Sequence, residues 1–226
     1  MKFKYQFFRN AAIVFAIIAI AFTIVVACVD RQQIGPDGTS VGLAAINGSF
    51  AQGVGVNLTY DKLSDVVLAC SLLNAAAFAI IGLVQLIKRK SIKKVNKELL
   101  AMGCLYIVMA IIYVLFDKLF VINLRPVLLE GEKELESSFP SSHILVITVV
   151  AGAAMFSWKR VLEDKRVIGI IIGFLNLFVV VAGIYFRLES GVHWLTDILG
   201  GLIYGITLLY AYAAVVLYLE EKENNQ

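Results

Sequence analysis

The sequence predicts an all-α, polytopic membrane protein with six transmembrane helices and both termini in the cytoplasm. Three observations predict it. Hydrophobic residues make up 60% of the 226 and charged residues only 16%, where soluble domains run near ~45–50% and ~25%. With a mean hydropathy of +0.84, much of this surface must face lipid. Six apolar runs reach or approach the ~20 residues that a helix needs to cross a bilayer. The cations, finally, crowd the loops of one side, as cytoplasmic loops do. The same composition excludes a disordered chain, a collagen-like repeat and a disulfide scaffold. The net charge of +3 is dispersed between apolar runs rather than gathered on a soluble face, so no nucleic-acid partner is expected.

The runs lie at about 11–29, 66–87, 99–117, 141–158, 167–186 and 194–219. Each is read as helix, because an open strand edge cannot be satisfied in lipid. The first follows a basic start, and Val25-Val-Ala-Cys28 has the look of a lipoprotein cleavage site. Its apolar run exceeds the ~7–15 residues of a signal core, so it is expected to stay as a span. The 30–64 segment forms an outer loop rich in Gly, Ser and Asn. Within it, 41–51 alternates apolar with small residues and fits either a short helix on the membrane surface or an ordered loop. Asn47-Gly-Ser and Asn57-Leu-Thr are glycosylation sequons by pattern. The second span carries Asn74, suited to an interhelical hydrogen bond. The third ends at Asp117-Lys118, an expected local ion pair. The fourth is the shortest and opens on Ser141-Ser142-His143. Gly200-Gly201 in the sixth suits close helix packing, and Tyr185, Phe186 and Trp194 fit an interface aromatic belt. Cys28, Cys70 and Cys104 each fall in an apolar run without metal-ligand spacing and are read as buried small apolar residues. With no internal repeat or low-complexity linker, residues 1–226 read as a single membrane domain.

Orientation follows from the loops. With the N-terminus inside, the cytoplasmic segments hold Lys2, Lys4 and Arg9; Lys88, Arg89, Lys90, Lys93, Lys94 and Lys97; Lys159, Arg160, Lys165 and Arg166; and Lys222, which is 14 of 20. Arg31, Lys62, Lys118, Arg125, Lys133 and Arg187 fall outside, and Glu130, Glu132, Glu134 and Glu136 share one outer loop.

Chemistry concentrates at that outer level. The chain has two histidines, His143 and His193, both at outer ends of spans beside Lys118, Arg125 and Arg187. Lys118 and Arg125, seven apart and followed by Pro126, read as two helical turns that place both cations on one face about 10.5 Å apart. Such a pair suits a group with several anionic oxygens. Pro140-Ser141-Ser142-His143 opens a helix whose free N–H groups favour an anion, and a bound phosphate would offset the cost of a protonated His143 in the first turn. His193 and Asp197 are four apart on one helix face. The carboxylate there can take the proton of one ring nitrogen and leave the other as a nucleophile. A zinc site would need further ligands. There is no third histidine, and the flanking cations argue for an anion instead.

Together these segments resemble the type 2 phosphatidic acid phosphatase superfamily, whose signature is Lys-x6-Arg-Pro, then Pro-Ser-Gly-His, then Ser-Arg-x5-His-x3-Asp. The chain reads Lys118-x6-Arg125-Pro126, Pro140-Ser141-Ser142-His143 and Arg187-x5-His193-x3-Asp197. Order and spacings agree. Ser142 replaces the family Gly, and Phe186 replaces the Ser before the arginine, removing a hydroxyl next to the phosphate site.

The resemblance implies a metal-independent, cofactor-free lipid phosphate or diphosphate phosphatase, integral to the plasma membrane with its active site facing outside. By position, Lys118, Arg125, Ser141, Ser142 and Arg187 bind phosphate, His193 attacks phosphorus to give a phosphohistidine, Asp197 orients His193, and His143 protonates the leaving oxygen. Expected partners are the bilayer and an amphiphilic lipid phosphate: polyprenyl diphosphate, phosphatidic acid or phosphatidylglycerophosphate. The compact size and short loops look most like bacterial members. A headgroup phosphotransferase and a non-catalytic headgroup-binding protein are the alternatives, and the sequence leaves the oligomeric state open.

Overall fold

The computed structural model describes residues 2–129, 131–162 and 165–225. Glu130 and the side chains of Lys2, Lys4 and Arg166 lie outside the described residues. Among those described there are seven α-helices: α1 (Lys2–Cys28), α2 (Ala44–Val54), α3 (Leu58–Arg89), α4 (Lys97–Val114), α5 (Ser142–Val161), α6 (Arg166–Ser190) and α7 (Leu195–Asn224). Six of them, all but α2, are long and apolar enough to cross a membrane, and they coincide with the six apolar runs. The protein is a multi-pass, all-helical membrane protein.

The helices reach beyond the apolar runs where polar caps extend them. α3 starts at Leu58 because Asn57 caps it: its side-chain oxygen accepts the N–H groups of Thr59 (3.0 Å) and Tyr60 (3.4 Å), with Asp61 in the first turn. This extension puts Asp61, Ser64 and Asp65 on helix rather than loop. α4 is capped by Asn96, which accepts from Glu98 N at 2.9 Å. α4 runs into a π-helical turn at Leu115–Leu119, closed by the Phe120 N–H on Leu115 O at 2.8 Å. From there the backbone leaves the helix, and Leu124 pairs with Ser137 in an isolated bridge. Lys118 and Arg125 therefore do not share a helix face as their spacing predicts. Lys118 lies within the π-turn, whereas Arg125 sits on non-helical backbone, as the following Pro126 favours.

α5 lies at the centre, with 56% of its apolar window buried against 11% for α1 and α4. Leu145, Val149 and Ala153 pack with Phe78 of α3, Met102 and Leu105 of α4, and Leu208 and Tyr212 of α7. Small residues bring α7 close. A Cβ at Gly205 would stand 2.7 Å from Thr148, and one at Gly201 would stand 2.7 Å from the Ser141 carbonyl. α1 lies along α7 through Thr23 Oγ1 and the Tyr204 hydroxyl (2.9 Å) and through stacked Phe15 and Tyr210. Asn74 does join helices: it donates to Asn176 of α6 at 2.9 Å and accepts from Trp158 Nε1 of α5 at 3.0 Å.

Several expectations change. The three cysteines are free and exposed on the protein surface rather than buried. In a bilayer protein an apolar run says only that a residue avoids water, because lipid serves as well as a neighbouring helix. Trp194 is buried, donating Nε1–H to Leu124 O at 2.7 Å, and is not part of an interface belt. Within 30–64 the helical reading of 41–51 is the one realised, as α2. Asn47 is fully buried and hydrogen-bonded to Gly42 O and Thr196, so its sequon is closed to modification in the folded protein.

The C-terminal ends of α1, α4 and α6 and the N-terminal ends of α3, α5 and α7 gather at one end of the bundle. The opposite end is tied by Arg160 to Glu98 (3.2 Å) and by Lys97 to Glu223 (2.6 Å).

Candidate active site

The turn between α6 and α7 is fixed before any charged side chain enters it. Gly191 has φ +63°, the left-handed conformation glycine tolerates, and a Cβ there would stand 1.8 Å from Gly55 O. That contact and the hydrogen bond from Asn57 N to Ser190 O (2.9 Å) seat the α2–α3 link on this turn. On the other side, Asn47 clasps the start of α7: its amide donates to Thr196 Oγ1 (2.9 Å) and its carbonyl accepts from Thr196 N (3.2 Å).

His193 and Asp197 meet here, both buried. Their direct separation, Nδ1 to Oδ2, is 3.7 Å, beyond a normal hydrogen bond. The gap is bridged by Ser138, which the sequence reading passed over. Its hydroxyl lies 2.9 Å from His193 Nδ1 and donates to Asp197 Oδ2 at 2.5 Å. Asp197 also accepts from Trp194 N (2.9 Å) and Asn123 Nδ2 (3.3 Å). A hydroxyl that donates to the carboxylate has a lone pair to offer, so Nδ1 carries the ring proton and Nε2 is left bare. The expected His193–Asp197 pairing is thus indirect. The bend at Phe139 and Pro140, with Ser138 N donating to Asn123 O at 2.9 Å, brings Ser138 between the two groups, a contact that an i,i+4 argument within one helix does not contain.

The bare Nε2 faces Arg187, 3.1 Å from Nη2, and the same Nη2 lies 3.2 Å from His143 Nδ1. An arginine only donates, so both ring nitrogens facing it are lone pairs, and the two N–H bonds of one guanidinium nitrogen serve two imidazoles. His143 carries its proton on Nε2, 2.8 Å from Asp65 Oδ1. The other Arg187 terminal nitrogen pairs with Asp61 and donates to Ser64 Oγ at 2.9 Å. Phe186, in place of a serine, stacks on Tyr60, and the hydroxyl Arg187 uses comes from Ser64 of α3 instead. The acids at 61 and 65 share one helix face at a span edge, where an unpaired charge is costly. That spacing is the signal that could have drawn attention to them.

Arg125 is buried, donates its backbone N–H to Glu136 O (3.1 Å) and pairs Nη2 with Glu136 Oε2 at 3.0 Å. Among the described residues its Nε and Nη1 are buried without a partner, as are Arg187 Nε and Ser141 Oγ. Ser141 precedes α5 at the cap position, yet its hydroxyl caps nothing, while its N–H donates to Asp197 O at 2.9 Å. Ser142, first in α5, lines a cavity of about 40 Å³ with Arg125, Glu136 and Asp117. Lys118 is the site residue that the fold leaves apart. Its side chain is 75% exposed and paired with Asp117 at 2.8 Å, the local pair its neighbour predicts.

Burial pushes the pKa of His193 well below the usual imidazole value, and the positive charges of Arg187 and Arg125 push it the same way. At neutral pH the ring is an uncharged base with a bare nitrogen. Among the described residues no group of three His, Cys, Asp or Glu side chains is placed to hold a metal ion. The arrangement offers a neutral imidazole nucleophile, a second imidazole across one guanidinium nitrogen, and four buried donors with nothing to bind. A tetrahedral oxyanion answers all three.

Comparison with known proteins agrees with that chemistry. No curated protein matches the chain. Its fold is similar to the crystal structure of the first transmembrane PAP2 type phosphatidylglycerolphosphate phosphatase from Bacillus subtilis, with a TM-score of 0.61 and 16% sequence identity over 93% of this chain and 96% of that chain. The sequence model of the PAP2 superfamily matches residues 97–221, which run from the start of α4 almost to the end of α7 and hold both histidines, both buried arginines and Asp197. Over half of its length, and in the part that carries the imidazole pair, this chain belongs to the PAP2 superfamily.

Proposed function

We propose that the protein is a metal-independent lipid phosphate or diphosphate phosphatase of the plasma membrane, acting through a phosphohistidine at the outer face. The observation that carries this reading is the pair of imidazoles, His193 Nε2 and His143 Nδ1, both turned to one nitrogen of Arg187 beside the unpartnered donors of Arg125, Arg187 and Ser141. A phosphoryl group placed among those donors lies between a nucleophile and an acid. Residues 1–226 act as one membrane domain, and the cation bias of the loops supports an outward site with both termini inside.

In the reaction, Arg125 and Arg187 bind the equatorial oxygens, with Ser141 Oγ and the N–H groups at the start of α5 completing the cradle. Ser142 offers its backbone N–H there. Lys118 exchanges Asp117 for an incoming headgroup oxygen at the rim. His193 Nε2 attacks phosphorus as the bond to the leaving oxygen breaks, and Asp197, through Ser138, stabilises the charge that develops on the ring. The leaving oxygen takes a proton from protonated His143. Water then attacks the phosphohistidine and gives a proton to His143, the N–P bond breaks, and orthophosphate leaves with His193 restored. A site at headgroup depth keeps an acyl or isoprenyl tail in lipid, which favours polyprenyl diphosphate, phosphatidic acid or phosphatidylglycerophosphate. The last is the substrate class named for the Bacillus subtilis protein.

The test is phosphate release by purified protein in detergent with EDTA, offering those three lipids side by side. Release that disappears in His193→Ala, with transient labelling of the wild type by radioactive substrate, is the expected result. Equal release from His193→Ala and wild type sinks the mechanism.

A further inference from the structure

We propose that α3 supplies the positioning carboxylate for the acid of the reaction: Asp65 holds His143 so that Nδ1, not Nε2, faces the phosphoryl group. The proposal rests on the phosphatase reading above and adds a residue to it from outside the 97–221 segment.

Three observations carry it. Asp65 Oδ1 lies 2.8 Å from His143 Nε2, so that nitrogen is spoken for and points away from the arginines. The other ring nitrogen shares Arg187 Nη2 with His193 Nε2, at 3.2 and 3.1 Å, so the two free nitrogens face one guanidinium nitrogen. Asp61, one turn before Asp65 on the same face, pairs with Arg187, which keys the outer end of α3 to the site at two successive turns. The charged and titratable groups around His143 are Arg187 from α6, Arg125 from the 120–141 segment and Asp65 from α3, with His193 from the α6–α7 turn across the shared Arg187 nitrogen. Asp65 is the carboxylate among them that reaches the ring, and without it a protonated His143 would face only cationic or cation-capable neighbours.

The two imidazoles then have matching attachments and opposite tasks. His193 keeps its Nδ1 proton on Ser138 and Asp197 and uses Nε2 as nucleophile. His143 keeps its Nε2 proton on Asp65 and uses Nδ1. When His143 takes a second proton on Nδ1, that proton passes to the leaving oxygen as the P–O bond breaks, and Nδ1 recovers it from the attacking water in the second step. Asp65 keeps its hydrogen bond to Nε2 throughout. A plain surface ion pair is the competing account, since the Asp65 side chain is 59% exposed, and such pairs have little functional consequence.

The decisive experiment compares Asp65→Asn with wild type on two substrates, phosphatidic acid, whose alkoxide leaves only with a proton, and a nitrophenyl phosphate, whose phenolate leaves without one. General-acid contributions run to about 10²–10⁴-fold, so losing the positioning group is expected to lower the alkyl-to-aryl rate ratio by about tenfold or more. An unchanged ratio, whether both rates fall together or neither falls, overturns the proposal. A second measurement is independent of turnover. The chain has two histidines, so protein labelled with ¹⁵N-histidine shows two imidazoles, told apart by His193→Ala. The His143 ring should be an Nε2–H tautomer in wild type and a tautomer mixture in Asp65→Ala. A ring unchanged in Asp65→Ala refutes the positioning role even if the phosphatase reading stands, and a shifted ring in a protein that releases no phosphate leaves the fault with that reading.

Discussion

Replacing Ser138 by alanine removes one hydroxyl and two hydrogen bonds. The hydroxyl spans His193 Nδ1 at 2.9 Å and Asp197 Oδ2 at 2.5 Å, and the direct 3.7 Å separation cannot take its place without movement. Asp197 would keep two donors, Trp194 N and Asn123 Nδ2, so the fold should tolerate the change. The ring would lose the group that holds its proton on Nδ1 and the path by which the carboxylate steadies the imidazolium. A hydrogen bond to a charged group contributes about 1.5–3 kcal/mol, which as a barrier difference is about 10–150-fold in rate. The expected outcome is a fall of that size in kcat for phosphate release from a lipid phosphate, with KM nearly unchanged because Ser138 makes no contact with the phosphate cradle. Ser138→Thr keeps the hydroxyl and should recover most of the rate. Asp197→Asn should cost more, and the Ser138→Ala, Asp197→Asn double variant should cost little beyond Asp197→Asn, because both act along one chain. Additive losses, or a Ser138→Ala enzyme within about threefold of wild type, would refute the relay, since even a weak bond of this class is worth more.

Arg187→Lys replaces a buried fork that meets Asp61, Ser64 and both imidazoles by one point charge. Loss of a donor aimed at the reacting group typically costs about 10²–10³ in rate, measured as kcat/KM, and the thermal midpoint should also fall because Asp61 loses its partner. The folded His193 binds its proton well below the unfolded value, so the pH profile of kcat/KM should show no acid limb near 6.5 from this group. The same shift makes the unfolded chain take up a proton that the native site refuses, so stability should decline as pH falls through about 6.5, read as the thermal midpoint against pH. His193→Phe should flatten that decline. Gly201→Ala places a methyl 2.7 Å from Ser141 O and 3.2 Å from Leu145 N. Overpacking of this kind costs about 1–3 kcal/mol, and because it pushes the start of α5 it should lower activity along with the thermal midpoint.

How much of this was legible depended on the range of the interaction. The spans were legible because a bilayer imposes one requirement, an unbroken apolar length, that adjacent residues alone must meet. His143, His193, Arg187 and Asp197 were legible because fixed spacings inside short segments locate them. Ser138 and Asp65 were not, since each acts across helices that meet only in three dimensions. Lys118 and Arg125 misled for the converse reason. Their spacing is helical in number, but the π-turn and the non-helical backbone of 120–125 break the register between them. The cysteines show a further limit, because apolar sequence does not distinguish the inside of the bundle from its lipid-facing skin.

The carboxylates already seated on the two buried arginines bear on turnover. Asp61 holds one terminal nitrogen of Arg187 and Glu136 one terminal nitrogen of Arg125, so an arriving phosphate would meet two cations already partly neutralised and take the donors left over, Arg187 Nε and Arg125 Nε and Nη1. Each arginine would then be shared between two anions, and the phosphate would gain less from it than from a cation that held none. Orthophosphate, without a tail to tether it in lipid, would have only those shared cations to hold it. A site built this way would hold a headgroup less tightly than bare arginines and would let the freed phosphate go more readily.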